Sequence, residues 1–251
     1  MREKVMLVGD SNTSKTFSLI SLAMLYPSSK VIIFDPDDGS SKTLDELGLT
    51  PNDLPNLMII PVRADWGEFK TAYDIVKPTL TEKDWMCFDM LGRFWDLAQQ
   101  YYAQQVFGKN PVEHLLSLKK QAQSTQFNGF DGLQDWPLIK RIYGELFIDD
   151  AVVYSKFNVM ATCGVKEFLP VERVPKTGIQ SLYALRFGIK PDGEKHNVYR
   201  FDTQAVLYRK KEGGYFFKLV RDRGRQVQDT EFEITGKNFW NVYAEYRGIK
   251  L

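Results

Sequence analysis

VMLVGDSNTSKT, residues 5–16, is the stretch on which the reading of the fold turns. Its apolar run, Val5 to Val8, predicts a strand that stops at Gly9, and a helix is predicted from about Lys15 to Tyr26. The phosphate-binding pattern G-x-x-x-x-G-K-[ST] has this order. A strand leads into a turn whose backbone N–H groups wrap an anion, and a Lys and a hydroxyl follow for the terminal phosphates and Mg2+. Gly9, Lys15 and Thr16 fall in place, so Gly9, Asp10, Ser11, Asn12, Thr13, Ser14, Lys15 and Thr16 form the candidate loop. The helix that follows would aim the positive end of its dipole at the anion. Ser14 stands where the pattern has its second glycine, and a positive φ there would strain it by about 1–3 kcal/mol.

Downstream, short runs rich in Val, Ile and Phe alternate with segments of helical period, the signature of a parallel sheet with crossover helices. A second strand, Val31 to Phe34, ends in the acidic cluster Asp35-Pro36-Asp37-Asp38-Gly39, at the edge where open α/β sheets bind ligands. A third, Leu57 to Val62, leads to a helix near Glu68 to Leu80, and a fourth, Trp85 to Phe88, finishes at Asp89. The aromatic stripe in Arg93 to Phe107 reads as core or interface. Lys119 to Gln134 reads as a polar loop, and helical period resumes from Trp136 to Val153. After a fifth strand, Asn158 to Cys163, the segment Lys166 to Asn197 reads as a long irregular loop rich in Lys, Arg, Pro and Gly, and loops of that length are usually functional or disordered. Tyr199 to Arg209 and Tyr215 to Val220 predict a β pair turned at Glu212-Gly213-Gly214, and a short helix is expected after Gly236.

A chain of 251 residues, 43% hydrophobic, can bury one sizeable core, so a single domain spanning 1–251 is expected, with an insertion at about 108–135, the basic loop at about 166–197 and the hairpin at about 199–221. The formal charge of +1 argues against a general polyanion coat but leaves room for a local basic surface. Cys87 and Cys163 lie inside apolar runs and read as free buried thiols of a reducing compartment. No apolar run has the length of a membrane span or the flanks of a signal peptide, so the expectation is a soluble, cytoplasmic protein without a membrane partner.

A phosphate loop becomes a nucleotide site when a second strand supplies a carboxylate for Mg2+ and its water, and Asp89 is the candidate. Asp37 and Asp38 are candidates for positioning water, with a capped acidic turn as the equally weighted alternative.

The loop at Gly9 to Thr16, Asp35 to Asp38 after the second strand, Asp89 after the fourth, and the stretches DWPLIKRIYGEL, NVMATCGVKE and YRFDTQAVLYRKKEGGYFFKLVRDRG together resemble RecA-like ATPases, in particular the phage-encoded single-strand-annealing recombinase type. The resemblance covers Val5 to Gly224. It implies an α/β RecA-like P-loop core, a mostly parallel sheet flanked by helices, with a C-terminal antiparallel β extension. It further implies that Lys15 and Thr16 bind the phosphates and Mg2+ of ATP, that Asp89 is the Walker B aspartate and Asp37 the acidic base, and that Thr162 is a polar sensor. Arg221 and Arg223 would be the basic pair that reaches the ATP of a neighbouring subunit in a ring or filament. Lys166, Arg173, Lys176, Arg186 and Lys190 would meet the phosphates of single-stranded DNA, with Phe168 and Tyr183 stacking its bases. The implied task is ATP-dependent recombination or annealing in a host cytoplasm, with activity reduced to the extent that Ser14 disturbs the loop. Two other tasks fit the same residues: a catalytically weak or inactive nucleotide-binding structural subunit, and an ATPase of DNA packaging or helicase loading.

Overall fold

The computed structural model describes residues 2–50, 52–63, 65–108, 113, 116, 134–168, 177–223 and 230–249. Ten strands are described: β1 (Lys4–Gly9), β2 (Val31–Asp35), β3 (Leu57–Pro61), β4 (Trp85–Phe88), β5 (Asn158–Cys163), β6 (Val165–Glu167), β7 (Ile189–Pro191), β8 (Thr203–Arg209), β9 (Tyr215–Asp222) and β10 (Glu231–Glu233). Eight of them form one sheet in the order β10-β9-β8-β1-β5-β4-β2-β3. β1, β2, β3, β4, β5 and β8 run parallel, and β9 and β10 extend the sheet antiparallel beyond β8. This is the mostly parallel, helix-flanked α/β architecture that the resemblance implies, with its antiparallel C-terminal strands.

The central strands are buried on both faces, and their alternating side chains serve two different layers. Met6 and Val8 of β1, Phe34 of β2 and Phe88 of β4 face a core shared with α3 (Trp66–Val76), α4 (Leu91–Phe107) and a π-helix (Gly144–Val153). Val5 and Leu7 of β1, Ile33 of β2 and Cys87 of β4 face a second core, closed by α1 (Lys15–Leu25) and by the last helix of the chain, Phe239–Arg247. The helices begin where short polar side chains satisfy their free amides: Asp65 accepts from the Glu68 N–H at 2.7 Å ahead of α3, and Asn238 accepts from the Asn241 N–H at 2.8 Å ahead of the last helix. Cys87 and Cys163 are buried free thiols.

Two expectations change. The stretch read as one irregular loop carries ordered elements: β6 and β7 pair as an antiparallel ribbon with α6 (Ile179–Phe187) between them, and the short α7 (Asn197–Arg200) takes the start of the strand expected from Tyr199, so that β8 begins only at Thr203. The α6 helix buries Ile179 and Tyr183 and ends at Gly188, whose φ of 67° is the left-handed conformation that stops a helix. The helical stretch after Trp136 is two helices of different kind, α5 (Asp135–Tyr143) and the π-helix that continues it. With α2 (Gly39–Glu46) these complete the helices used below, the last becoming α8. The polar loop expected at 119–134 lies, except for Gln134, outside the described residues, as does most of the insertion at about 108–135. Among the described residues no helix is long and apolar enough to cross a membrane.

Candidate nucleotide and metal site

Because β1, β2, β4, β5 and β8 are parallel, their carboxyl ends share one edge of the sheet, and the candidate residues gather there. The candidate phosphate loop leaves β1 at Gly9. Gly9 pairs with Leu207 of β8 so closely that a Cβ on it would lie 2.6 Å from both the Leu207 carbonyl oxygen and Thr13 Oγ1, so no larger residue fits. Asn12 (φ 56°) and Ser14 (φ 65°) are both left-handed and curl the loop back over the start of α1. Ser14 therefore holds the conformation its missing glycine would adopt freely, and its side chain makes no capping bond in return.

Lys15 is buried, and its ammonium donates to the Asp10 carbonyl at 2.5 Å and to Thr13 Oγ1 at 3.4 Å. Burial lowers its pKa, opposed by attraction from Asp89. Thr16 donates from its hydroxyl to Asp89 Oδ2 at 2.6 Å, and Thr162 donates to the other oxygen, Oδ1. This meeting follows from register: β5 lies between β1 and β4, and Phe88 sits opposite Ala161, so the next residues along, Asp89 and Thr162, come side by side. Asp89 is buried, which raises its pKa, while the two hydroxyls pull it down.

The donor set suits Mg2+. A hydroxyl and a carboxylate already touch, and Gly39, at the start of α2, presents its bare Cα to them. A Cβ there would lie 3.6 Å from Thr16 Oγ1 and 3.8 Å from Asp89 Oδ2, filling the space beside the pair. Mg2+ takes one or two protein oxygens and completes its shell with phosphate and water, which matches this sparse set. Among the described residues no cluster of three His, Cys, Asp or Glu side chains offers a fuller cage.

The acidic cluster after β2 divides its work. Asp35 is buried and accepts from the Asp37 and Ser40 amides at 3.0 and 2.7 Å, shaping the turn. Asp37 accepts from Arg93 Nε at 2.9 Å, an ion pair with α4. Asp38 is left-handed (φ 56°) and immediately precedes Gly39.

The loop opens into a cavity of about 470 Å3 lined by Asn12 to Phe17, by Thr43 and Glu46 of α2 and Leu47 just past its end, and by Arg209 and Tyr215 at the tip of the β8–β9 hairpin. On the other side of the loop a cleft of about 670 Å3 includes Asp10, Ser11, Glu167, Arg186 and Lys218. Arg186 also donates to the Leu219 carbonyl at 3.3 Å. Lys166 and Lys190 face each other across the β6–β7 ribbon. Lys166 pairs with Asp192, and the Lys190 ammonium lies 5.6 Å from the centre of the Phe168 ring. Arg173 and Lys176 lie outside the described residues. Tyr183, expected to stack on bases, is fully buried and donates to Gln204 Oε1 at 3.0 Å, so it belongs to the core.

Arg221 and Arg223 lie at the opposite edge of the sheet. β9 runs antiparallel to β8, so its end, opposite Thr203 and Gln204, is as far from the loop as the strand allows. Arg223 pairs there with Asp202 at 3.0 Å, and Arg221 donates to the Val198 carbonyl at 3.4 Å. Gly39, Arg93, Arg209 and Tyr215 were not singled out from sequence. Each joins the site through tertiary approach, and only the Asp-Asp-Gly turn after β2 carried a local signal.

No protein-family model and no curated protein matches the chain. Among solved structures it is similar to the RadB recombinase, with 16% sequence identity, a TM-score of 0.46, and coverage of 94% of this chain and 89% of that chain.

Proposed function

We propose that this protein is a Mg2+-dependent ATPase of the RecA-like, phage-encoded recombinase type, which couples nucleotide turnover to single-stranded DNA in recombination or annealing. The observation that carries the reading is the Thr16–Asp89 hydrogen bond of 2.6 Å, made between the first turn of α1 and the residue that follows β4, and set beside the open face of Gly39. A P-loop fold needs that pairing for Mg2+ and has little other use for a buried carboxylate there.

In this reading Lys15 exchanges the Asp10 carbonyl for the terminal phosphates, and the loop amides hold the phosphate chain at the start of α1. Thr16 and Asp89 would hold Mg2+, which when bound neutralises charge on the phosphate oxygens. Thr162 fixes the Asp89 carboxylate. Asp37 or Asp38 orients the attacking water, and Arg93, paired with Asp37, sets where that carboxylate points. Arg221 and Arg223 act on the site of a neighbouring copy, and Lys166, Arg186 and Lys190 contact DNA phosphates.

The test is steady-state ATP turnover at fixed Mg2+ and low salt, with and without single-stranded DNA, for wild type and Lys15→Ala. Low salt is used because phosphate contacts weaken steeply as salt rises. Turnover that rises with single strands and disappears in Lys15→Ala is expected. A folded wild type that neither turns over nor binds nucleotide would falsify the reading.

The left-handed Ser14 favours a second reading, a nucleotide-binding subunit with little or no hydrolysis. Ser14→Gly separates the two. It relieves about 1 kcal/mol or more of backbone strain, and turnover that appears only in this variant supports the structural subunit.

A further inference from the structure

Asp192, the residue after β7, is fastened on several sides. Its N–H donates to the Gly164 carbonyl at 2.9 Å and its carbonyl accepts from the Cys163 thiol at 2.8 Å, so its backbone is tied to the end of β5, next to Thr162. Its carboxylate lies on Gly92, in the first turn of α4. A Cβ on Gly92 would sit 2.9 Å from Asp192 Oδ2, so a side chain there would displace it. Asp192 Oδ1 accepts from the Gly193 N–H at 2.7 Å and pairs with Lys166 across the base of the ribbon. The lysine is the open member of that pair, with 60% of its side chain exposed against 29% for the aspartate.

The first turns of α4 carry the line of charge onward. Arg93 follows Gly92 directly, and Asp96 stands one turn beyond Gly92 on the same face of the helix. Asp96 responds to every charge around it: desolvation raises its pKa, repulsion from Asp192 adds to the rise, and attraction to Lys166 and Arg93 opposes it. Arg93 in turn holds the Asp37 carboxylate at 2.9 Å, in a pair that is also open to solvent. Three carboxylates, Asp192, Asp96 and Asp37, thus share two cations, Lys166 and Arg93.

We infer that Asp192 is a positioning residue that relays the occupancy of Lys166 to Asp37 by way of Arg93. The inference rests on the ATPase reading above and names how the ribbon regulates that same site. When a phosphate takes the Lys166 ammonium, Asp192 keeps its place, because its backbone bonds do not involve the lysine. Asp192 and Asp96 then have one cation fewer, and the remaining one on the line is Arg93. Its guanidinium turns towards them and releases Asp37 to orient water. Exposed ion pairs are weak enough to exchange in this way, and at low salt a phosphate chain competes well for a lysine.

The experiment measures steady-state Mg-ATP turnover without DNA for wild type, Lys166→Ala, and the double variant Lys166→Ala, Asp192→Asn. Removing the lysine should act as phosphate capture does: kcat rises about threefold, the scale of one exposed ion pair, with KM for ATP unchanged. Adding Asp192→Asn takes away the charge that draws Arg93 and should reverse most of the rise. The unchanged KM certifies an intact loop in both variants. Wild-type turnover in Lys166→Ala would overturn the inference, because it is the result for a lysine that only contacts DNA. An equal rise in the double variant would overturn it too, since the effect would then not pass through Asp192. A wild type that turns over no ATP, with or without single strands, removes the ATPase reading and the relay together.

Discussion

Asp89 carries the most consequence of any single residue. Burial raises its pKa, although the Thr16 and Thr162 hydroxyls both favour the charged form. The folded state therefore holds the proton more tightly than the unfolded chain, where the ordinary value is 3.8. The sign of the effect follows: as pH rises from that value through the raised one, the metal-free protein loses stability relative to a variant that cannot ionise. Urea midpoints of wild type and Asp89→Asn across that range, without Mg2+, should diverge in this direction, and parallel profiles would refute the account. Mg2+ should close the gap for wild type alone, and Asp89→Asn should lose at least about a hundredfold in turnover. The residues of this site were legible in unequal measure. Lys15 and Thr16 form a local pattern, and Asp89 ends an apolar run. Gly39 contributes an absent side chain, which matters only because α2 starts against Thr16, and Arg209 reaches the cavity through a strand pairing that no local window displays.

Among the elements, α8 holds the phosphate loop's helix in place from behind. Trp240 is buried to 1% exposure, packs edge-on to Trp85 with ring centres 4.9 Å apart, and donates its indole N–H to the Tyr26 hydroxyl at 2.6 Å, just past the end of α1. Truncating a buried tryptophan costs about 3–5 kcal/mol, so Trp240→Ala should shift the urea unfolding free energy by that amount. A loss under about 1 kcal/mol would mean that α8 is not part of the cooperative core. The sheet strands were readable because each is a short apolar run closed by a turn. The β6–β7 ribbon and α6 were not, since three-residue strands have no period to detect and the apolar residues of α6, Ile-Gln-Ser-Leu-Tyr-Ala-Leu-Arg-Phe, spread round the helix without forming one stripe; Gly188 after Phe187 was a stop signal for it. The π-helix also escaped, because its buried residues Phe147, Ile148, Ala151 and Val152 satisfy an α-helical period equally well.

For the whole molecule, the arrangement to explain is that the phosphate loop and the Arg221–Arg223 pair occupy opposite edges of one sheet. A trans role for the pair then demands head-to-tail contact between copies. Mixing predicts a clear result. Lys15→Ala has no working loop but keeps the arginines, whereas the double variant Arg221→Ala, Arg223→Ala has the reverse defect. Each should be inactive alone, and an equimolar random mixture should regain about a quarter of wild-type turnover, the chance that a sound loop meets a sound neighbour. Additive inactivity would place the arginines in a structural role at their own edge. The same opposition has a further consequence for any such assembly. Its two ends are different surfaces, and in an open chain of copies the terminal loop has no neighbour, so specific activity climbs with chain length towards a plateau. A closed ring has no terminal loop, so every copy in it has a neighbour and closure itself adds only the last site.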